Sequence, residues 1–426
     1  LILRGPILIT MQSEMKLASR ILSTRLDHVI PGLLIGIAVC LNSCSAISTL
    51  NDCSWICLPL AALACVVLLL FPNTEGRKAA LTVGALVFTL PIVISAIVNL
   101  SYSNIVNSMT LLITILLAYL CVRKTKAEWL CRAFVSTMCV TSFCSLCLWI
   151  LTNVAKVDLP VPVLENVNGV HYKTLGIVSQ YVEPYIQHSN SMGFFWECGV
   201  FASYLLLAIV VEFMLAERVS KLRLALLTIT LLTTGSTAGY LLLPLAISFG
   251  FLRQSSKAGV VISVCLLAFT LIVLLNYSSI ADTLAGFNPS LFGKLTDTGA
   301  VTRLTRLQSP GICWELFLQN PLFGLGYGGA LDAYAACTIS TSTVDSLTTT
   351  SFFQLAAFGV AGFAIWFVTL SSIFGAHRAS FSASLILAFL LLAILNKEPH
   401  TSSCLTYLLI FSFLSLQDQR TIFRNS

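Results

Sequence analysis

Charge is what this chain lacks. Only 10% of its residues are Asp, Glu, Lys or Arg, against 57% hydrophobic, and mean hydropathy is +0.90. A soluble domain carries about a quarter of its residues as charges, so a water-facing globular surface is excluded. Histidine is also scarce, at five residues. The polar segments hold no Asp-x-Asp and no His cluster with ligand spacing, so neither a metal nor a cofactor is expected. There is no basic tail of the kind that grips nucleic acid, and no nucleic-acid partner is expected. No internal repeat is evident.

Long apolar runs are what the chain has in abundance. Runs of roughly 15–23 residues recur, the length a helix needs to cross a core of about 30 Å. Backbone amides in hydrocarbon must bond within their own segment, so these runs predict helices. Twelve spans are expected, at 29–48, 55–72, 79–99, 105–122, 129–151, 192–214, 221–234, 237–252, 258–275, 351–374, 381–395 and 404–416. Residues 221–252 are split by Thr233-Thr234-Gly235-Ser236-Thr237 and read either as a kinked pair or as a re-entrant hairpin. The fold class is an all-α polytopic membrane protein.

Lys and Arg orient it. Of 24 such residues, only Lys156, Lys173, Lys294, Arg303, Arg306 and Lys397 fall in outer loops when both termini are cytoplasmic. The positive-inside bias supports that arrangement. The expected divisions are a cytoplasmic N-terminus at 1–28 and helices 1–5 at 29–151. A first large outer loop at 152–191 precedes helices 6–9 at 192–275. A second large outer loop at 276–350 precedes helices 10–12 at 351–416 and a cytoplasmic tail at 417–426.

Most of the fifteen cysteines lie inside the spans, where cysteine is a small packing residue. Cys144 and Cys147 form a C-x-x-C on a span, without a His or carboxylate nearby. Cys313 and Cys337 share the second outer loop, where a disulfide and two free thiols are both open readings.

The polar length lies outside. A transporter usually places polar residues at the midplane, on broken helices. Here the two long outer segments carry them, which points to chemistry or recognition at the outer face. The first loop holds Lys173, Glu183 and His188 among Tyr, Asn and Gln residues. That mixture suits sugar, whose pyranose faces stack on aromatic rings, and it equally suits an interfacial aromatic belt. Glu197 follows Trp196 in the first turns of an apolar span. A carboxylate there is costly unless it serves a polar cavity or reaches the headgroups.

In the second loop, Arg303 and Arg306 share one helix face. A guanidinium fork matches phosphate oxygens, either of a lipid diphosphate or of anionic headgroups. Residues 311–320 read as an amphipathic helix on the membrane, ended by Asn320-Pro321. The glycine-rich turn that follows, through Tyr327, would let the backbone approach a ligand closely.

Together these segments resemble the bacterial O-antigen polymerase and ligase superfamily. Phe194-Phe195-Trp196-Glu197-Cys198-Gly199 resembles its aromatic-rich FWEPG entry to a span. Thr234-Gly235-Ser236-Thr237 resembles its Ser/Thr-Gly turn. Arg303, Arg306, Trp314 and Asn320-Pro321-Leu322-Phe323-Gly324-Leu325-Gly326 resemble its arginine helix and NPLFGxG turn. Asn396-Lys397-Glu398-Pro399 stands where the family has a polar break. The likeness covers residues 190–400. Two departures stand out. The His-Asn pair of ligases falls on Thr348-Thr349 here, and Asn190 stands near the position of a family arginine.

The resemblance implies a GT-C-like glycosyltransferase with periplasmic loops in a bacterial inner membrane. It would be a polymerase of undecaprenyl-diphosphate-linked oligosaccharide, for O-antigen, capsule or exopolysaccharide. A chain-length regulator and a flippase would share its membrane. The implied catalytic residues are Glu197, Arg303 and Arg306. His188, Glu183, Lys173, Trp196 and Tyr327 would bind substrate, with Lys173 replacing the missing first-loop arginine. The alternatives are an O-antigen ligase using a lipid A core acceptor, and a transporter or flippase.

Overall fold

The computed structural model describes residues 32–50, 54–73, 78–166, 171–182, 189–215, 219–253, 257–276, 279, 280, 283, 286, 300–341, 347–376 and 381–425. These are mostly helical. The first helices are α1 (Gly32–Leu41), α2 (Ser54–Leu70), α3 (Ala79–Val98), α4 (Tyr102–Lys124) and α5 (Ala127–Trp149). After a small sheet come α6 (Cys198–Leu215), α7 (Lys221–Thr233), α8 (Thr237–Arg253) and α9 (Lys257–Leu275). The last group is α10 (Ala300–Gln319), α11 (Tyr327–Thr341), α12 (Ser351–Phe358), α13 (Ala361–Ala376), α14 (Phe381–Leu395) and α15 (Cys404–Asn425).

Among the described residues four helical stretches are long and apolar enough to cross a membrane: Ala79–Val98, Tyr102–Lys124, Ala127–Val154 and Cys198–Leu215. Shorter apolar helices accompany them, including Thr237–Arg253 and Phe381–Leu395. The chain is a membrane protein. Its central helix is α6, buried on every side from Gly199 to Met214 and packed on α5, α7 and α8. A helix that is apolar all round belongs at the middle of a bundle. Around it, α3, α5 and α9 turn Ile97, Val140, Phe143, Val261 and Ile272 outward, as a lipid-facing wall requires.

Two expectations are corrected. The all-α reading missed a four-stranded antiparallel sheet within residues 152–193. Its strands are β1 (Leu164–Glu165), β2 (His171–Thr174), β3 (Ser179–Val182) and β4 (Ser189–Gly193), paired in sequence order. Tyr172 pairs with Tyr181 and is fully buried, and its phenol donates 2.9 Å to the carbonyl of Ala46. Each strand is too short to show clear alternation. The surface that buries Tyr172 comes partly from a segment 126 positions away.

The predicted span 351–374 is also not continuous. Gly359, at φ +62°, ends α12, and α13 starts two residues later. A Cβ at Gly359 would lie 2.5 Å from the Leu322 carbonyl oxygen, so only glycine permits this break.

The connections sort to two ends of the bundle. At one end, Lys78 donates to the carbonyls of Val122 (2.7 Å) and Arg123 (2.9 Å). This ammonium caps the C-terminus of α4, where the helix dipole is negative. At the other end, the Trp196 amide donates to the Cys44 carbonyl at 3.0 Å, and the Cys404 amide to the Asn42 carbonyl at 2.8 Å. The Asn104 side chain donates to the Leu325 carbonyl at 3.1 Å, and the Thr350 amide to the Leu395 carbonyl at 2.8 Å. The outer ends of the expected spans and the second-loop segments at Leu325 and Thr350 thus meet one another.

Candidate functional site

The site is built around a turn between α14 and α15, Asn396-Lys397-Glu398-Pro399-His400-Thr401-Ser402-Ser403. Two strongly apolar helices flank it, so three ionisable residues are carried into the interior with it. Lys397 (6% exposed), Glu398 (1%) and His400 (1%) are all buried. Burying such groups is costly unless each is held by partners.

Two threonines clamp this turn. The Thr350 hydroxyl donates 3.0 Å to the Glu398 carbonyl and accepts the His400 amide at 2.6 Å. The Thr349 hydroxyl donates 2.8 Å to the Asn396 side chain. Thr348 and Thr349, the positions that align with the ligase His-Asn pair, are buried packing and clamping residues here.

The turn is tied to the start of α6. The Lys397 ammonium donates 2.9 Å to the Gly199 carbonyl. Gly199 has no room for a side chain. A Cβ there would lie 2.1 Å from Glu398 Oε1 and 3.5 Å from Glu197 Oε1. The carboxylates of Glu197 and Glu398 therefore converge over Gly199, with the ammonium of Lys397 on its carbonyl. Glu197 is half-buried, while Glu398 is fully enclosed.

The preceding aromatics fix this corner. Phe195 stacks between Phe194 (4.1 Å) and Tyr204 (4.8 Å), and Gly193, at φ +60°, makes the turn out of the sheet.

Beside this corner lies a cavity of about 560 Å³. Its wall contains Trp196 and Pro399, the neighbours of Glu197 and Glu398. Hydroxyls and amides from Asn42, Thr49, Asn107 and Thr114 line much of the rest. A large indole, several hydrogen-bonding groups and, among the described residues, no charged side chain on the lining suit an uncharged, hydroxyl-rich ligand.

The imidazole of His400 is no base for this cavity. Among the described residues neither ring nitrogen has a hydrogen-bond partner, and the ring meets Tyr204 edge-on at 5.4 Å. Burial, reinforced by the Lys397 charge, pushes its pKa down to about 3. It stays neutral and scarcely basic at neutral pH. It adjoins two voids of about 10 Å³ each, near the size of one water.

The expected site residues separate into three groups. Trp196, Glu197 and Tyr327 come together here. Tyr327 packs edge-on against Phe353 (5.3 Å) beside the Ser402 hydroxyl, and burial raises its phenol to about 12. Ser402 itself lines the cavity. Lys173 goes elsewhere. It pairs with Asp158 at 2.6 Å on the small sheet, holding that carboxyl below its ordinary range.

His188 and Glu183 lie outside the described residues. Arg303 and Arg306 lie on the backbone of α10, and their side chains are outside the described set. The described half of α10 packs on α12, and the Ser309 hydroxyl accepts the Thr348 amide at 3.1 Å.

The glycine-rich turn is corrected too. The Leu325 and Gly326 amides donate to the Ala356 and Ala357 carbonyls at 2.9 and 3.0 Å. A Cβ at Gly324 would lie 2.3 Å from the Ala357 carbonyl carbon. These glycines admit the protein's own backbone. The ligand-facing reading of the turn is replaced by a structural lock. No disulfide joins Cys313 to Cys337.

Lys397, Glu398 and His400 were missed as site residues. The signal was present: three ionisable residues within four positions, between two apolar runs. Among the described residues no three His, Cys, Asp or Glu side chains gather as metal ligands would. No protein-family model matches the chain, and no curated protein matches it.

Proposed function

We propose that this protein is a membrane glycosyltransferase of the polysaccharide polymerase type. It would join undecaprenyl-diphosphate-linked oligosaccharide repeats at the outer face of a bacterial inner membrane. The architecture proposed with it is twelve spans, GT-C-like, with both termini cytoplasmic. The observation that carries the reading is the cavity. Its lining is rich in hydroxyls and amides, Trp196 offers a stacking face, and a carboxylate corner adjoins it at the end of the bundle where the expected outer segments meet.

In this reaction the acceptor hydroxyl oxygen attacks the anomeric carbon of the donor sugar. The bond from that carbon to the diphosphate oxygen breaks, and undecaprenyl diphosphate leaves with the electron pair. Glu197 takes the hydroxyl proton, the role of a general base beside an acceptor. Arg303 and Arg306 neutralise charge growing on the diphosphate. Lys173, already paired with Asp158, is left as a support of the sheet.

The test is the surface-polysaccharide ladder of a deletion strain. A single repeat on the lipid A core supports the polymerase. Loss of all repeats from the core indicates a ligase. Failure of lipid-linked repeats to reach the periplasm indicates a flippase.

A further inference from the structure

The direction of the hydrogen bonds around the cavity decides what it can hold. Asn42 donates its amide protons to backbone, at 2.9 Å to the Ala38 carbonyl and 3.1 Å to the Cys57 carbonyl. Asn107 donates to the Ser103 carbonyl at 2.9 Å and to the Ser103 hydroxyl at 3.3 Å. Carbonyls only accept, so the nitrogen of each amide stands on that side, and each amide keeps its Oδ1 as an acceptor.

The hydroxyls repeat the pattern. Ser48 and Thr49 donate to the carbonyls of Ser45 (2.8 Å) and Ala46 (3.0 Å). Thr110 and Thr114 donate to the carbonyls of Val106 (3.0 Å) and Thr110 (2.9 Å), one turn back along α4. A hydroxyl has one proton, so what remains to each is lone pairs. All six of these residues line the cavity. Asn107, Thr110 and Thr114 stand three and four positions apart and form one stripe on α4.

Donors on the same lining are few. The Cys44 thiol lies 3.8 Å from the Pro399 carbonyl, and the Ser402 hydroxyl is engaged by Cys44 and Tyr327. The Trp196 indole contributes one N–H. Among the described residues the lining has no Lys, Arg or His.

We propose that this wall takes its ligand as a hydrogen-bond donor: the cavity binds a neutral sugar unit through the sugar's own hydroxyl protons and excludes acidic sugars, with Asn107 and Thr110 setting that selectivity. This rests on the glycosyl-transfer reading of the cavity and names the sugar class which that reading leaves open. The reason is the cost of an unmet polar group. A hydroxyl entering the cavity gives its proton to a waiting oxygen. A carboxylate has no proton to give. It meets oxygens where it needs N–H groups, and it loses its water without replacement. The volume of about 560 Å³ lies within the range of small-ligand sites, about 300–1,000 Å³.

Saturation-transfer NMR on the purified full-length protein in lipid nanodiscs reads binding without any polymerisation. The probes are the methyl glycosides of glucose, galactose and mannose, and those of the matching uronic acids. At least one neutral glycoside should bind, and its uronic counterpart should bind about tenfold more weakly or worse. Replacing a hydroxyl of the bound glycoside by fluorine removes the proton and nearly keeps the size, so at one or more ring positions it should cost a similar factor. Thr110→Val removes lone pairs while keeping the branched shape, and it should weaken the neutral glycoside by about tenfold. Asn107→Leu supplies the same measurement if Thr110→Val does not accumulate. Thr89→Val is the control. Its hydroxyl donates in the same way, to the Ala85 carbonyl at 2.9 Å, but Thr89 is off the lining, so binding should be unchanged.

A uronic glycoside that binds as tightly as its neutral parent overturns the proposal. So does a failure of every neutral glycoside to bind, or a loss in Thr89→Val equal to that in Thr110→Val. The polysaccharide ladder of the deletion strain is a separate readout. Retained polymer beside selective binding of neutral sugar ends the polymerase reading and leaves the acceptor wall standing. Lost polymer beside tightly bound uronic sugar ends only the selectivity.

Discussion

Lys397 and Gly199 lie 198 positions apart in sequence and are joined by a 2.9 Å hydrogen bond from ammonium to carbonyl. That bond fastens the α14–α15 turn to the first turn of α6, and it fixes where Glu197 stands. Gly199 is the weak point of the joint. Gly199→Ala places a Cβ 2.1 Å from Glu398 Oε1 and 2.8 Å from its Cδ. The expected cost is about 1–3 kcal/mol, that of overpacking a filled site. Thermal unfolding in detergent measures it. Gly311→Ala is the control, since its Cβ meets nothing within 4 Å. Equal melting temperatures for the two variants would show that the corner yields easily.

Glu197→Gln keeps the shape of the side chain and removes its charge. Loss of a general base lowers turnover by about 10²–10⁴-fold. Lipid-linked single repeats should accumulate while protein abundance is unchanged. Polymerisation at the unmodified rate by the purified variant would make Glu197 structural.

For Arg303 and Arg306, replacement by Lys preserves charge but loses the two-pronged fork. Activity should fall with Arg→Lys and fall further with Arg→Ala, at normal membrane levels of each variant. Full-length polymer from both alanine variants would remove these residues from the mechanism.

His400 should make stability depend on pH. The folded state takes up this proton only near pH 3, whereas an exposed histidine does so near 6.5. Between those values the unfolded state binds more protons, so stability falls as pH drops below about 6.5. His400→Leu should flatten that slope. It should also change stability at neutral pH by no more than about 1 kcal/mol, because it removes a buried group with no hydrogen-bond partner to lose among the described residues. Chemical denaturation across pH 4–8 checks both. A slope identical to that of the unmodified protein would place the titrating group elsewhere.

Reporter fusions address sidedness. Lys173 and Asp332 should read as periplasmic, and Lys126 and Arg378 as cytoplasmic. A cytoplasmic signal at Asp332 would move the second loop and the whole outer-face chemistry to the wrong side.

What the sequence alone determined is local in origin. Apolar runs of helix length specify helices because each turn bonds within itself and buries its own side chains in lipid. Helices stand on those runs in α2 through α9 and α12 through α15, with the run 351–374 broken at Gly359, whereas α10 and α11 lie outside them; Glu197 was conspicuous because a carboxylate is rare at the start of such a run. Tertiary structure alone decided what depends on two distant segments meeting. Tyr172 finds its cover only when Ala46 arrives. The glycines at 324 and 326 are needed only because the end of α12 lies against them. Lys397 and Glu398 looked like ordinary loop charges until Gly199 and Thr350 closed over them. Hydropathy is a sum over neighbours in the chain, whereas the cost of a buried charge is settled by neighbours in space. The carboxylate corner belongs to the second kind.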